Sequence, residues 1–198
     1  MAAGFDGVEV HGANGYLLDA FLRDGSNRRS GPYGGPVENR ARLLLEVLEA
    51  VGAETPLMGL RLSPLNGFNA MGDSDPIGLS RWLAERLNDL PLAYLHLMRG
   101  DVVGQQQGDV LTPMRQHYKG VLVANMGYTA AEADAAIAAG ALDAVAFGTA
   151  FLANPDLPRR FSQGAPLNQA DPSTFYSPGP AGYTDYPTLD SPRQPSAS

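Results

Sequence analysis

The sequence predicts an α/β fold built on a parallel sheet, and two observations carry that prediction. Five short apolar runs of strand length recur along the chain, alternating with segments whose apolar residues fall at helical spacing. Most of those runs are continuously apolar rather than alternating, as expected of strands covered on both faces.

The first run, residues 5–11 (Phe-Asp-Gly-Val-Glu-Val-His), alternates weakly, has β-branched Val8 and Val10 with aromatic Phe5, and suits a short strand. A long polar loop follows, and residues 24–36 hold too much Gly, Pro, Ser and Asn for any regular element. From Glu38 to Val51 the residues Leu43, Leu44, Val47, Leu48 and Val51 mark one helix face, with Gly52 placed as its stop. Residues 57–63 form a second strand ended by Pro64, and a Gly- and Asp-rich loop runs on to Pro76. Leu79, Trp82, Leu83, Arg86 and Leu87 then mark a second helix, and Ala93 to Met98 a third strand. Residues 110–118 carry a faint helical pattern, and Val121 to Ala124 make a fourth strand. Thr129 to Ala139 is an Ala-rich helix with Thr129 as N-cap, Glu132 at the capping-box position and Gly140 as stop. Ala144 to Phe147 is the fifth strand, and Phe151 to Phe161 a short helix interrupted by Asn154-Pro155. From Gly164 the chain turns rich in Pro, Gly, Ser and Tyr, so residues 1–187 are expected to form the fold and 188–198 a disordered tail.

Composition narrows the function classes. With 198 residues, 44% hydrophobic and 18% charged, the chain has enough apolar surface for one domain with a sizeable core. Its 14 basic and 21 acidic residues give a net charge of −7, which argues against nucleic acid or an anionic membrane as partner and for a small-molecule ligand. Without cysteine there is neither disulfide nor thiolate chemistry, and the three histidines (His11, His96, His117) have no ligand-like spacing, so no metal site is expected. No run approaches the ~18 apolar residues of a membrane span and no signal-peptide pattern is present, which makes the cytoplasm the expected location.

In parallel α/β folds ligands sit at the carboxyl ends of strands, so the residues just past each strand are the candidates for chemistry. After the first strand come His11, Asn14 and Tyr16. His11 and Asn14 could place two donors on one ligand oxygen, polarising a carbonyl or nitro group, while Tyr16 delivers a proton. The plainer alternative is a satisfied core histidine followed by a turn-forming asparagine. Arg61, embedded in Met-Gly-Leu-Arg-Leu-Ser-Pro, requires an anion, which an anionic ligand or a buried carboxylate would both supply. The turns Asn125-Met-Gly-Tyr128 and Gly148-Thr-Ala each precede a helix start, a setting that favours phosphate, although a tight βα turn needs glycine in any case.

Several segments together resemble one family. They are Gly4-Phe-Asp-Gly-Val-Glu-Val-His-Gly-Ala-Asn-Gly-Tyr, Phe21-Leu-Arg-Asp-Gly-Ser-Asn-Arg-Arg, Tyr33-Gly-Gly-Pro-Val-Glu-Asn-Arg, Gly59-Leu-Arg-Leu-Ser-Pro, Phe147-Gly-Thr-Ala-Phe-Leu-Ala-Asn-Pro-Asp-Leu, Phe175-Tyr and Gly182-Tyr-Thr-Asp-Tyr-Pro. In order and in register, they resemble the Old Yellow Enzyme family of flavin-dependent ene-reductases, most of all its bacterial nitrate-ester and N-ethylmaleimide reductase branch. The resemblance implies a (β/α)8 TIM barrel that binds FMN, takes hydride from NADPH or NADH and passes it to an activated alkene or a nitro compound. It implies that His11 and Asn14 hold the activating oxygen, that Tyr16 is the proton donor and that Tyr176 lines the substrate side of the flavin. Arg61 matches a flavin-contacting arginine, and Met126, Gly127, Gly148 and Thr149 match two turns against the FMN phosphate. The family usually has arginine where this chain has Thr149, and commonly glycine where it has Met126. The chain supplies about five βα units, resembling strands 4 to 8 of the barrel, and five strands cannot close it. The expectation is therefore an ene-reductase fragment needing its N-terminal part, as a truncated or split gene product or one awaiting a complementing half-chain, or else a non-catalytic remnant. A phosphate-binding aldolase or isomerase ranks last, because the only lysine, Lys119, falls in a helix-to-strand loop.

Overall fold

The computed structural model describes residues 3–191. The chain divides into two compact units, Met1–Ala146 and Phe147–Ser198.

The first unit holds a parallel sheet of five strands in sequential order: β1 (Val8–Gly12), β2 (Met58–Leu62), β3 (Leu92–Met98), β4 (Leu122–Asn125) and β5 (Ala144–Ala146). Helices α1 (Leu17–Leu22), α2 (Val37–Arg40), α3 (Arg42–Glu54), α4 (Pro76–Leu87), α5 (Leu111–His117) and α6 (Ala130–Ala138) fill the connections. Each strand pairs with its sequence neighbour, as in one arc of a TIM barrel, and β1 and β5 stand at the edges.

Alternation along the strands separates two faces. Leu60 and Leu62 of β2, Leu95 and Leu97 of β3, and Leu122 and Ala124 of β4 are buried in one core with Leu44 and Leu48 of α3 and Leu79, Leu83 and Leu87 of α4. Leu83 is fully buried there, so Leu83→Ala is expected to cost about 2–5 kcal/mol, read from the urea midpoint. The opposite face carries polar residues. The register aligns His11 with Arg61 and Arg61 with His96, which places all three on it in one row. Gly59 lies on the same face, where an added Cβ would come within 2.3 Å of the Tyr94 ring.

Several boundaries differ from the sequence reading. The first strand begins at Val8 rather than Phe5, because pairing starts where the Val8 N–H donates to the Leu57 carbonyl. The helix expected over 38–51 is broken at Ala41 and runs through Gly52 to Glu54, stopped by extended Thr55 ahead of Pro56. Helix α1 was not foreseen, although Leu18 and Leu22 form its buried side. At α6 Thr129 caps as expected, its Oγ1 accepting from the Glu132 N–H at 3.2 Å. The reciprocal half of the capping box is absent, since the Glu132 carboxylate pairs with Arg99 instead.

The second unit contains α7 (Thr149–Ala153) and α8 (Leu157–Gln163), separated by the Asn154-Pro155 step. Phe147 packs edge-on against Phe161, with ring centroids 5.1 Å apart. Buried Asn154 and Arg160 tie down the returning chain: Asn154 Oδ1 accepts from the Asn168 N–H, and Arg160 donates to the carbonyls of Pro166 and Pro187. Of the tail expected from 188, residues 188–191 are held, the Leu189 N–H donating to Asp156 Oδ2 at 2.8 Å and Asp190 pairing with Arg159. Residues 192–198 lie outside the described residues.

Candidate functional site

The end of β1 brings the first three candidates together. His11 is the penultimate residue of the strand and its ring is exposed, while Tyr16 sits just ahead of α1 with its ring centroid 5.5 Å from that of His11. Desolvation, followed by the positive charge of Arg61, lowers the His11 pKa from 6.5 against an opposing pull from Glu9. At neutral pH the ring is therefore neutral and offers one N–H donor. Asn14 lies between them at φ 58, a left-handed conformation that asparagine tolerates.

Asn14 is held by the loop that follows β2. Its N–H donates to Ser63 Oγ at 2.7 Å, its Oδ1 accepts from Asn66 Nδ2 at 3.0 Å, and its carbonyl accepts from Asn69 Nδ2 at 2.9 Å. Gly15 fits against the same loop, where a Cβ would lie 2.6 Å from that of Asn69. Beneath these contacts is Arg23, fully buried, whose Nη1 donates to the Ser63 carbonyl and Nη2 to Gln106 Oε1. Its guanidinium lies 3.8 Å from Asp19 and 4.0 Å from Asp73. Asp19 in turn accepts from the Gly15 N–H at 2.8 Å, and its burial raises the carboxyl to about 6. The loops after β1, β2 and β3 are thus joined at one cation.

The loop after β3 is pinned by Asp101, whose carboxylate accepts from the backbone N–H groups of Gly67, Val103, Gln105 and Gln106. Desolvation opposes ionisation, but those four donors outweigh it and bring the carboxyl to about 2.

Arg61 stands in the row beside His11. Among the described residues no carboxylate lies within ion-pair distance of its guanidinium, and its buried Nε has no hydrogen-bond partner. Two other buried polar atoms on this face are also unpartnered, His96 Nε2 and Asn125 Oδ1. His96 Nδ1 is hydrogen-bonded to Glu9 at 3.0 Å. This face therefore presents a cation, a ring nitrogen and an amide oxygen in need of a ligand with both acceptors and donors.

After β4, Met126 and Gly127 both have positive φ, 89° and 69°. Arg99 holds the turn, its Nε donating to the Met126 carbonyl at 2.8 Å and its Nη2 to that of Gly127 at 3.1 Å. The guanidinium also stacks on the Tyr128 ring at 3.6 Å and pairs with Glu132. In the second unit, Gly148 precedes α7, Thr149 is its exposed first residue, and Tyr176 is 97% exposed.

The family model for the NADH:flavin oxidoreductase / NADH oxidase family matches residues 1–168. The chain belongs to this family. It is 53% identical over 193 residues to a probable flavin mononucleotide-dependent alkene reductase of Leishmania infantum, covering 96% of this chain and 52% of that protein. It is 45% identical over 198 residues to 12-oxophytodienoate reductase 2 of Arabidopsis thaliana, covering 96% and 53%. Among solved structures it matches the old yellow enzyme of Trypanosoma cruzi with a TM-score of 0.93 at 49% identity, covering 95% and 51%. It also matches morphinone reductase in complex with tetrahydroNAD, with a TM-score of 0.88 at 46% identity, covering 96% and 52%. The chain thus spans about half the length of the relatives it matches. Among the described residues, no helix of this family member is long and apolar enough to cross a membrane.

Ser63, Asn66, Asn69, Arg23 and Arg99 were given no role from the sequence, although Ser63 and Arg23 lie within the family-like segments. Arg23 carried one signal, a cation inside the otherwise apolar Ala-Phe-Leu-Arg, the same anomaly that singled out Arg61.

Proposed function

We propose that this chain forms the substrate-activating part of an FMN-dependent ene-reductase acting on activated alkenes or nitro compounds, with NADPH or NADH as reductant. The observation that carries the reading is an unpaired guanidinium, Arg61, in the same row as His11, beside a second donor on Asn14. The polar edge of a flavin ring offers adjacent acceptors and an N–H, which suits Arg61, His96 and Asn125 on one face. Met126, Gly127, Gly148 and Thr149 would hold the phosphate. FMN, when bound, would supply the hydride chemistry, with the nicotinamide as reductant.

The chain's own residues activate the substrate. The neutral His11 ring and the Asn14 amide each donate a hydrogen bond to the carbonyl or nitro oxygen, drawing electron density from the conjugated double bond. Negative charge developing on that oxygen strengthens both bonds, so they favour the transition state over the ground state. Tyr16, next to His11, donates its phenolic proton to the carbon alpha to the activating group. Tyr176 is proposed to line the substrate side.

At the phosphate end, Thr149 offers a neutral bond where a guanidinium would offer a charge-assisted one, roughly twice as strong. Thr149→Arg is therefore expected to tighten FMN by on the order of tenfold or more while leaving riboflavin unchanged, both read by quenching of flavin fluorescence. Equal tightening of riboflavin would remove Thr149 from the phosphate site.

A second reading, a non-catalytic remnant, is favoured by the open sheet, whose β1 and β5 edges each lack a neighbour among the described residues. A partner segment supplying three further βα units, in the same polypeptide or a complementing half-chain, would cover those edges and close the pocket. Activity that appears only when those units are supplied separates the first reading from the second.

A further inference from the structure

We infer that Asn66 is a positioning residue that sets the direction of the Asn14 amide, so that Asn14 presents its Nδ2–H2 rather than its carbonyl oxygen to a ligand. The inference rests on the proposed role of Asn14. Asn66 is itself 1% exposed and in the loop after β2, away from the end of β1 in sequence.

The direction follows from a chain of donors that can only donate. The backbone N–H groups of Val102 and Phe68 point at Asn66 Oδ1, at 3.3 and 3.4 Å. A backbone N–H never accepts, so this end of the Asn66 amide must be its oxygen. Its Nδ2 then faces Asn14 at 3.0 Å, and a donor there must meet the Asn14 oxygen. Reversing either amide would set donor against donor in a buried position. The remaining groups of Asn14 are already engaged, its N–H by Ser63 Oγ and its carbonyl by Asn69 Nδ2. Among the described residues, Nδ2 is the one polar atom of Asn14 left without a partner. The loop that supplies Val102 is fixed by Asp101, which takes the N–H groups of Gly67 and Val103 on either side. Asn66 thus converts the backbone polarity of the β2 and β3 loops into donor polarity at the site.

Proton exchange of side-chain amides in the 15N-labelled full chain tests this without flavin. In the native chain the Asn66 amide is expected to exchange slowly and the Asn14 amide fast. In Asn66→Asp the carboxylate still accepts from Val102 and Phe68 but offers Asn14 only an acceptor. The Asn14 amide should reverse, and its protons should become protected. Binding of 4-hydroxybenzaldehyde should weaken by on the order of tenfold or more at pH 7. It should recover as the pH falls toward ~4, where the introduced carboxyl regains a proton to donate. Asn66→Ala, which leaves the Asn14 amide free to adopt either direction, should weaken binding by less. A native Asn14 amide already protected from exchange, or one still exchanging fast in Asn66→Asp, would overturn the inference. If the native chain takes up no phenol, the proposed function fails, while the exchange data still decide the amide direction. If Asn66→Asp does not fold, native exchange and Asn66→Ala decide it.

Discussion

Arg23→Met is expected to destabilise the chain by about 3–5 kcal/mol, because it removes the cation shared by two buried carboxylates, leaving Asp19 without an ion-pair partner among the described residues and Asp73 with Arg40 alone at 4.0 Å. The loss should depend on pH. Burial already raises Asp19 from 3.8 to about 6, so between those values the folded chain binds more protons than the unfolded one. Stability from this group is therefore full below about 4 and declines as pH rises through 6. Without Arg23, whose charge pulls the Asp19 pKa down, the decline should deepen and extend to higher pH. Urea midpoints should show a larger deficit relative to the native chain at pH 8 than at pH 5. An equal deficit at both would mean that Arg23 acts through packing rather than charge.

Arg61→Met separates the two origins the sequence left open for that cation. Were Arg61 paired with a buried carboxylate, its removal would destabilise the chain as Arg23→Met does. Since no carboxylate reaches it among the described residues, Arg61→Met should leave the urea midpoint unchanged or raise it. FMN affinity should nevertheless fall by on the order of a hundredfold, as expected when a charged hydrogen-bond partner is lost. Opposite signs for stability and binding in one variant would mark Arg61 as a ligand-facing residue; parallel losses would mark it as structural.

How far the molecule was legible in its sequence follows from the range of each interaction. The five strands and α3, α4 and α6 are written in apolar periodicity, and the Thr129 cap in its own side chain, all local signals. His11, Asn14 and Tyr16 stood out as polar residues crowded where an apolar run ends. What holds them was not legible, because the bonds from Asn14 to Ser63, Asn66 and Asn69 join loops about fifty residues apart. Glu132 shows the converse: its local pattern predicted a capping box, and a partner 33 residues away, Arg99, took the carboxylate. Helix α1 escaped because Gly12, Gly15 and Gly25 flank a run of only six residues, while its fold depends on burying Leu18 and Leu22.

The proposed substrate-activating residues sit on and beside β1 and β2, in a sheet whose two edges lack, among the described residues, the further strands a closed flavin-binding barrel would need. Enone-dependent NADPH oxidation with 2-cyclohexenone, measured with FMN present, tests this directly. The chain should show no activity alone and should gain it when supplied with the first three βα units of a family member, with His11→Ala abolishing the gain. Turnover by the chain alone, or a gain that survives His11→Ala, would contradict it.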